Sequence, residues 1–190
     1  MLEKSIDTKT AILTIAKDLM RQLGYNAFSY ADIAQQLNIK NAAIHYHYPA
    51  KEDLLLGVID TYIEEYQHLG KQLIAAPISS LQKLSLFIEK YSVLIDQKSI
   101  CIIGSVASDY NTLPKSVREK VLKLIDLVIN MVAQTLADGR AKGELTFSEE
   151  PKTKSLLIMT NLAAGVQLAR ITGKNDFNEI VKALLDQIKK

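Results

Sequence analysis

Two of the three histidines in the chain lie close together, in the stretch NIKNAAIHYHYPAKEDLL at residues 38–55. His45 and His47 form a His-x-His pair, which could chelate a metal from a strand because alternate strand residues share a face. On a helix, two positions turn through about 200°, so the rings point to opposite sides. The third histidine, His68, and the single Cys101 lie far along the chain. We therefore predict no metal site.

The patterns that usually mark an enzyme are missing from the sequence. The eight glycines form no G-x-G-x-x-G, no phosphate-binding loop and no G-x-S-x-G nucleophile elbow. No H-E-x-x-H or paired C-x-x-C motif supplies zinc ligands. The sequence predicts neither catalytic residues nor a bound cofactor.

The elements that carry these residues are helical throughout. Apolar side chains recur at helical spacing nearly everywhere, and all four prolines fall at predicted helix junctions. We predict an all-α fold of about nine helices: a three-helix head at residues 1–50 and a larger helical body at 51–190. The head should contain a helix at 5–24, a short helix capped by Ser29 and a second short helix at about 41–48. Ser148 is predicted to cap a helix near 149–172, and the last helix is predicted at 176–189.

The second short helix has two faces of different character. Ile44 and Tyr48 are four residues apart and share the face predicted to pack inward. Ala42, Ala43 and Tyr46 fall on the other side, where small residues allow close approach to base edges. A helix this short, about 12 Å, fits the width of the major groove. The pattern predicts a helix-turn-helix that binds double-stranded DNA; the alternative is a helical small-molecule-binding or protein-interaction module without DNA activity.

Composition limits how DNA could be held and where the protein works. The 190 residues include 23 basic and 21 acidic ones, a net charge of +2, so locally placed cations must contact phosphates. Hydrophobic residues make up 48%, enough for a packed core. One cysteine, no apolar signal region and no apolar run of membrane-spanning length predict a cytoplasmic protein without a membrane partner.

The stretch FSYADIAQQLNIKNAAIHYHYPAKEDLL at residues 28–55 resembles the helix-turn-helix signature of TetR-type (TetR/AcrR) regulators. Ser29 stands at the family's cap, His47 at its histidine and Lys51 at its lysine. Ala42, Lys40 and His45 depart from the usual residues, which bears on base preference. The resemblance implies a ligand-responsive regulator, by family habit a repressor. The DNA-binding residues are then expected to be Ser29, Tyr30, Lys40, Asn41, Ala42, Ala43, His45, Tyr46, His47 and Lys51.

The resemblance also implies a homodimer that pairs through its last two helices and reads a palindromic operator. Ala163, Ala164 and Gly165 would permit close approach of two helices there. The alternative for these three small residues is ordinary packing within one chain.

The body is expected, from the same resemblance, to enclose a pocket for a small-molecule effector of unknown identity. The candidate effector-binding residues are Tyr62, Tyr66, Phe87, Tyr91, Cys101, Met131 and Gln167. Aromatic and Met side chains of this kind also fill ordinary cores. Cys101 has two interpretations: a reactive thiol at a helix N-terminus, as in family members that sense electrophiles or oxidants, or an inert thiol buried among isoleucines.

Overall fold

A computed structural model describes residues 7–190, and these residues form nine α-helices and one short 3-10 helix. The helices are α1 (Thr8–Leu23), α2 (Tyr30–Leu37), α3 (Asn41–His47), α4 (Lys51–Ala75), α5 (Ser80–Asp96), α6 (Ile102–Ala107), α7 (Lys115–Ala141), α8 (Pro151–Thr172) and α9 (Lys174–Asp186). The 3-10 helix Tyr110–Thr112 follows α6. The all-α prediction is confirmed. The predicted start of the first helix at residue 5, with Ile6, lies outside the described residues.

The chain divides into two compact units. The first comprises residues 7–62 together with Ile102–Leu122, and the second comprises Ile63–Cys101 and Lys123–Lys190. Two long helices, α4 and α7, contribute to both units. α4 contributes residues 51–62 to the first unit and 63–75 to the second. The predicted boundary at residue 50 stays a prediction.

The first unit is built around the three N-terminal helices. α1, α2 and α3 pack against one another, and α6 packs on α1. Ile12, Ala16 and Met20 from α1 are fully buried, as are Ile33 from α2 and Ile44 from α3. These residues recur at helical spacing, so each helix buries one apolar face in a common core.

Local sequence explains where the short helices begin and end. Asp32 accepts hydrogen bonds from the Ser29 backbone N–H (2.7 Å) and hydroxyl (2.8 Å), which satisfies a free N–H at the start of α2. Asn38 ends α2 in the left-handed conformation, with φ of 52°, which Asn tolerates better than most residues. The predicted cap of α2 at Ser29 is confirmed.

In the second unit, α8 and α9 pack on each other and α5 packs on both. A side chain at Gly165 would place its Cβ 3.1 Å from the Phe177 ring, so this glycine permits close approach of α8 and α9. The predicted cap at Ser148 is wrong: α8 begins at Pro151, with Glu150 as the capping residue. Proline is favoured at the first helical position, where its missing N–H costs no hydrogen bond.

α8 is also long and apolar enough to cross a bilayer, judged by length and composition alone. The sequence-based expectation that no such segment exists is therefore wrong on these two criteria. Only 39% of its most apolar stretch is buried within the chain. Core helices of soluble proteins satisfy the same criteria, so a single helix of this kind is weak evidence for a membrane segment.

Candidate nucleic-acid interface and effector cavity

The inner face of α3 is anchored firmly in the first unit. Ile44 is 0% exposed and Tyr48, which ends the helix, is 4% exposed. The hydroxyl of Tyr30 donates a hydrogen bond to the carbonyl oxygen of Tyr48 at 2.8 Å. The predicted inward packing of Ile44 and Tyr48 is confirmed, and it fixes the orientation of the whole helix.

The opposite face of α3 is open. Tyr46 is 82% exposed, Asn41 and Ala42 are exposed, and Ala43 is partly exposed. Seven residues give a helix of roughly 10 Å, and a duplex major groove is about 12 Å wide. The exposed face therefore has the size and the small side chains that close approach to a groove requires.

The two histidines lie on separate flanks of α3. The His45 ring packs edge-on against Tyr30 at 4.7 Å between centroids, and its Nδ1 lies 3.4 Å from the Pro49 carbonyl oxygen. The His47 ring lies 5.0 Å from that of Tyr46. Within residues 7–190 no three His, Cys, Asp or Glu side chains come together as a metal-binding group.

Lys51 has a structural role that its sequence position did not reveal. Its ammonium group donates a hydrogen bond to the carbonyl oxygen of Phe28 and lies 4.3 Å from the Phe28 ring centroid and 5.1 Å from that of Tyr25. Burial lowers the pKa of Lys51, while the nearby carboxylate of Asp32 raises it in part. An ammonium group has three donors, so the contact with Phe28 leaves two for the predicted phosphate contact.

Lys40 is placed differently. It precedes the first turn of α3, and its side chain is exposed. No residue from 7 to 190 forms an ion pair with it. Its charge is therefore free to neutralise a phosphate beside the helix.

The phenol groups that support α3 remain neutral. Burial, reinforced by the carboxylate of Glu52, raises the pKa of Tyr25 to about 12. Burial, reinforced by Asp53, raises that of Tyr30 to about 12. The hydroxyl of Tyr30 therefore stays a hydrogen-bond donor to Tyr48 across the physiological pH range.

The second unit contains a cavity of about 430 Å³ bordered by α4, the start of α5 and α7. This volume lies in the range typical of small-molecule sites. Its apolar lining comes from Tyr66, Gly70, Leu73, Ile74, Leu127 and Met131. Its polar lining comes from Gln67, Lys71, Ser80, Lys83, Asn130, Gln134, Thr135 and Asp138.

Two of the predicted effector-binding residues line this cavity, and two more pack beside one of them. Tyr66 and Met131 line it. The Phe87 ring lies 6.4 Å from that of Tyr66 and 5.6 Å from that of Tyr91. The hydroxyls of Tyr66 and Tyr91 are hydrogen-bonded to each other, and burial raises the pKa of both well above the ordinary value. Tyr66, Phe87 and Tyr91 thus form a neutral aromatic cluster, of which Tyr66 lines the cavity.

The other three predicted residues are not among those that line the cavity. Cys101 is partly exposed, immediately precedes α6 and is close enough to both Tyr66 and Tyr91 to affect their ionisation. Tyr62 belongs to the first unit, where the Lys17 ammonium lies 4.3 Å from its ring centroid. Gln167 is exposed on α8. Both interpretations of Cys101 and the effector roles of all seven residues stay predictions.

Sequence reasoning missed several residues that shape these sites. A side chain at Gly57 would force its neighbours to shift, because a Cβ there would lie 2.9 Å from the Leu13 side chain and 3.2 Å from that of Tyr48. A glycine inside a helical pattern was the available signal. Lys71 and Lys83 carried no such signal, since lysines on helix faces are usually solvated.

Comparison with known proteins identifies the class. The family model "Bacterial regulatory proteins, tetR family" matches residues 12–58, and "Tetracyclin repressor-like, C-terminal domain" matches residues 80–184. The chain belongs to the TetR family of bacterial regulators. It is a ligand-responsive, DNA-binding transcriptional regulator. Proteins of this family bind DNA operators and small-molecule effectors, generally as dimers.

Individual relatives agree with this assignment. A TetR regulator structure from Legionella pneumophila is 31% identical, with a TM-score of 0.86, over 97% of this chain and 98% of that one. One from Agrobacterium tumefaciens is 28% identical, with a TM-score of 0.89, over 96% and 97%. The regulator QacR of Staphylococcus aureus is 25% identical over 94% of this chain and 93% of its own.

Proposed function

We propose that the protein is a homodimeric repressor that reads a palindromic operator with two copies of α3 and leaves it when an effector fills the 430 Å³ cavity. The observation that carries the proposal is the contrast within α3. Ile44 is fully buried, while Tyr46, two positions later, is 82% exposed. A large aromatic side chain held outward on an anchored helix is available for contact with another molecule.

The proposed reader contacts divide into two kinds. Asn41, Ala42, Ala43 and Tyr46 approach base edges, where hydrogen bonds and close apolar contacts distinguish sequences. The flanking residues contact sugar and phosphate groups and set the register. The proposed flanking contacts are Ser29, Tyr30, Lys40, His45, His47 and Lys51.

The proposed dimer interface is the outer face of α8, together with α9. Leu157, Asn161, Ala164, Leu168 and Ile171 follow one another at spacings of three and four residues, and all five are exposed. Ile171 is 86% exposed and Leu168 46% exposed. Four of these five residues are apolar, and such a stripe marks an interaction surface. Ala164 lies on this stripe, whereas Gly165 packs on Phe177 within the chain.

A dimer also accounts for DNA recognition better than a single chain does. One seven-residue helix offers too few contacts for tight, specific binding. Two copies related by a twofold axis read two half-sites whose spacing is one groove turn or a multiple of it. The exposed leucines of α8 then bury against a second copy, which supports a cytoplasmic protein without a membrane partner.

The effector acts in this proposal through α4. The helix is continuous from Lys51 to Ala75, its C-terminal half lines the cavity, and its N-terminus follows α3 after Pro49 and Ala50. A ligand that favours one position of the cavity-lining residues shifts the population of α3 orientations in the dimer. Couplings of this kind are typically about 1–3 kcal/mol, a change of tenfold or more in operator affinity.

Sedimentation equilibrium of Ile171→Glu tests the dimer face. We expect the variant to be monomeric at concentrations where the parent is dimeric, and to bind DNA more weakly. Leu122→Glu is the matched control, since Leu122 is 53% exposed on α7, a helix that is not part of the proposed interface. An Ile171→Glu protein that stays dimeric, or a control that dissociates equally, refutes the interface.

A salt titration tests DNA binding itself. Contact with phosphates releases counterions, so affinity should fall steeply as salt rises. A complex that is insensitive to salt, or no complex with duplex DNA at any salt concentration, contradicts the proposed function.

A further inference from the structure

The cavity of the second unit runs along α4 and α7, two helices that are parallel to each other. A Cβ at Gly70 of α4 would lie 3.6 Å from the Met131 sulfur of α7. Further along, a Cβ at Gly139 of α7 would lie 2.7 Å from Ser80. Ser80 is the first residue of α5, the helix that follows α4. From Tyr66 to Ile74 and from Leu127 to Thr135, each helix rises about 12 Å. The cavity is therefore elongated, with distinguishable ends.

The end at Tyr66 and Leu127 carries no charge, and the amides of Gln67 and Asn130 are its polar lining groups. Tyr66 is hydrogen-bonded to Tyr91, and the Tyr91 hydroxyl lies 3.9 Å from the Met159 sulfur. Because burial raises the pKa of both tyrosines, they stay neutral at physiological pH. This end suits a hydrocarbon or aromatic group, which gains free energy when it leaves water.

The charged lining residues toward the other end are Lys71, Lys83 and Asp138. The Asp138 carboxylate already accepts a hydrogen bond from the Gln134 amide at 2.8 Å. Glu144, which lies nearby, accepts from the Ser80 N–H at 2.6 Å, and that bond lowers its pKa. Both carboxylates keep their negative charge, but only Asp138 lines the cavity, where Lys71 and Lys83 outnumber it.

The two lysines supply the positive charge of the lining. Neither Lys71 nor Lys83 forms an ion pair with any residue from 7 to 190, although Lys83 is near enough to Glu144 to help lower its pKa. The net charge of the lining side chains is therefore positive. A lipophilic cation would meet two ammonium groups against the single carboxylate of Asp138 among the lining residues.

We propose that the effector is an amphiphilic organic anion: a carboxylate held by Lys71 and Lys83, with an apolar body extending toward Tyr66 and Leu127. This inference rests on the proposed function, in which the same cavity receives the effector. It adds the chemical class of the ligand, which the fold alone does not determine.

The test compares three probes of equal chain length in the absence of DNA: decanoate, decanol and decyltrimethylammonium, each below its micelle concentration. Isothermal calorimetry should show decanoate binding at least tenfold tighter than the cation, with decanol between them. In the series hexanoate, octanoate, decanoate, each added methylene should tighten binding about fourfold, as burial of a methylene predicts.

Variants locate the binding to this cavity. The double change Lys71→Gln with Lys83→Gln should weaken decanoate about tenfold and leave decanol unaffected. The matched control is Lys98→Gln with Lys123→Gln, two exposed lysines of the same unit that do not line the cavity. Gly70→Leu should abolish binding of all three probes, because its side chain fills the space beside Met131. Circular dichroism verifies that each variant is folded.

Three results overturn the proposal: equal or tighter binding of the cation, parental decanoate affinity in the folded double-lysine variant, or no binding of any probe. Operator release is measured separately. If decanoate binds but does not release the operator, the ligand class is retained and the effector role of the cavity is refuted. If decyltrimethylammonium and decanol release the operator as readily as decanoate does, the ligand class is refuted and the effector role of the cavity is retained.

Discussion

The hydroxyl of Ser105 in α6 donates a hydrogen bond of 2.6 Å to the backbone carbonyl oxygen of Met20, near the end of α1. Ser105 is 3% exposed and Met20 is fully buried. The same carbonyl also accepts from the Gly24 N–H at 3.1 Å. This bond ties α6 to the DNA-binding head within the first unit.

Replacement of Ser105 by Ala removes one of the two donors to that carbonyl. Because Gly24 still satisfies the oxygen, we expect the free energy of unfolding to fall by only about 1 kcal/mol. Urea unfolding measures the difference. Ser108→Ala, at an exposed position of the same segment, should be silent. Equal stability of the Ser105 variant and the parent would show that the bond contributes nothing.

Tyr46 is expected to matter for recognition and not for stability. Tyr46→Ala should cost about 1–3 kcal/mol in operator binding, and Asn41→Ala a similar amount. The melting temperature of the Tyr46→Ala variant should match that of the parent, because the Tyr46 side chain is 82% exposed. Fluorescence anisotropy with a labelled operator gives the affinity, and Tyr110→Ala in the same unit serves as the control. Parental affinity of the Tyr46 variant would remove this residue from the reading surface.

Lys40 and Lys51 should behave differently although both flank α3. Lys40→Ala removes one exposed charge, so the slope of log K against log salt should become shallower by about 0.9 for one lost phosphate contact. Lys51→Ala should weaken all DNA sequences alike and also destabilise the head, because Lys51 binds the Phe28 carbonyl. Salt titrations paired with urea unfolding separate the two effects. A stable Lys51→Ala protein, or an unchanged slope for Lys40→Ala, would contradict this assignment.

Asp32 makes the start of α2 sensitive to acid. Hydrogen bonds from the Ser29 backbone and hydroxyl lower the pKa of Asp32 below its ordinary 3.8. A carboxyl whose pKa is lower in the folded state contributes stability above the unfolded pKa and loses it as pH falls through the folded value. Asp32→Asn should therefore be less stable than the parent at pH 7, with the difference shrinking below pH 3.8. Urea midpoints between pH 2 and pH 7, at fixed salt, test the trend; a constant difference would argue against it.

The fold was predictable because its signals are local. Ser29, Asp32 and Asn38 determine the ends of α2 through their own backbone and side-chain chemistry, and the buried face of α3 follows from the spacing of Ile44 and Tyr48. The failure at Ser148 has the same origin. Ser148 and Pro151 are both residue types that favour helix starts. The helix begins at Pro151, whose fixed φ suits the first helical position.

The contacts that join distant segments were not predictable. Lys51 looks like a free cation in the sequence, yet its ammonium group is bound to Phe28, 23 residues earlier. Ser105 meets Met20 across 85 residues. Lys71 and Lys83 come together at one cavity only because α4 and α5 are adjacent there. Such pairings depend on how helices pack, and helical periodicity carries no information about which helix lies opposite.

Selection of bound duplexes from a random pool tests the central claim most directly, because the selection itself yields the operator sequence and its symmetry. Two copies of α3 related by a twofold axis should enrich palindromic duplexes whose half-sites are about 10 base pairs apart or a multiple of that. The same selection with Tyr46→Ala should relax the preference at one base position in each half-site. Enrichment of asymmetric sequences, or no enrichment over the starting pool, would contradict a dimer that reads DNA with α3.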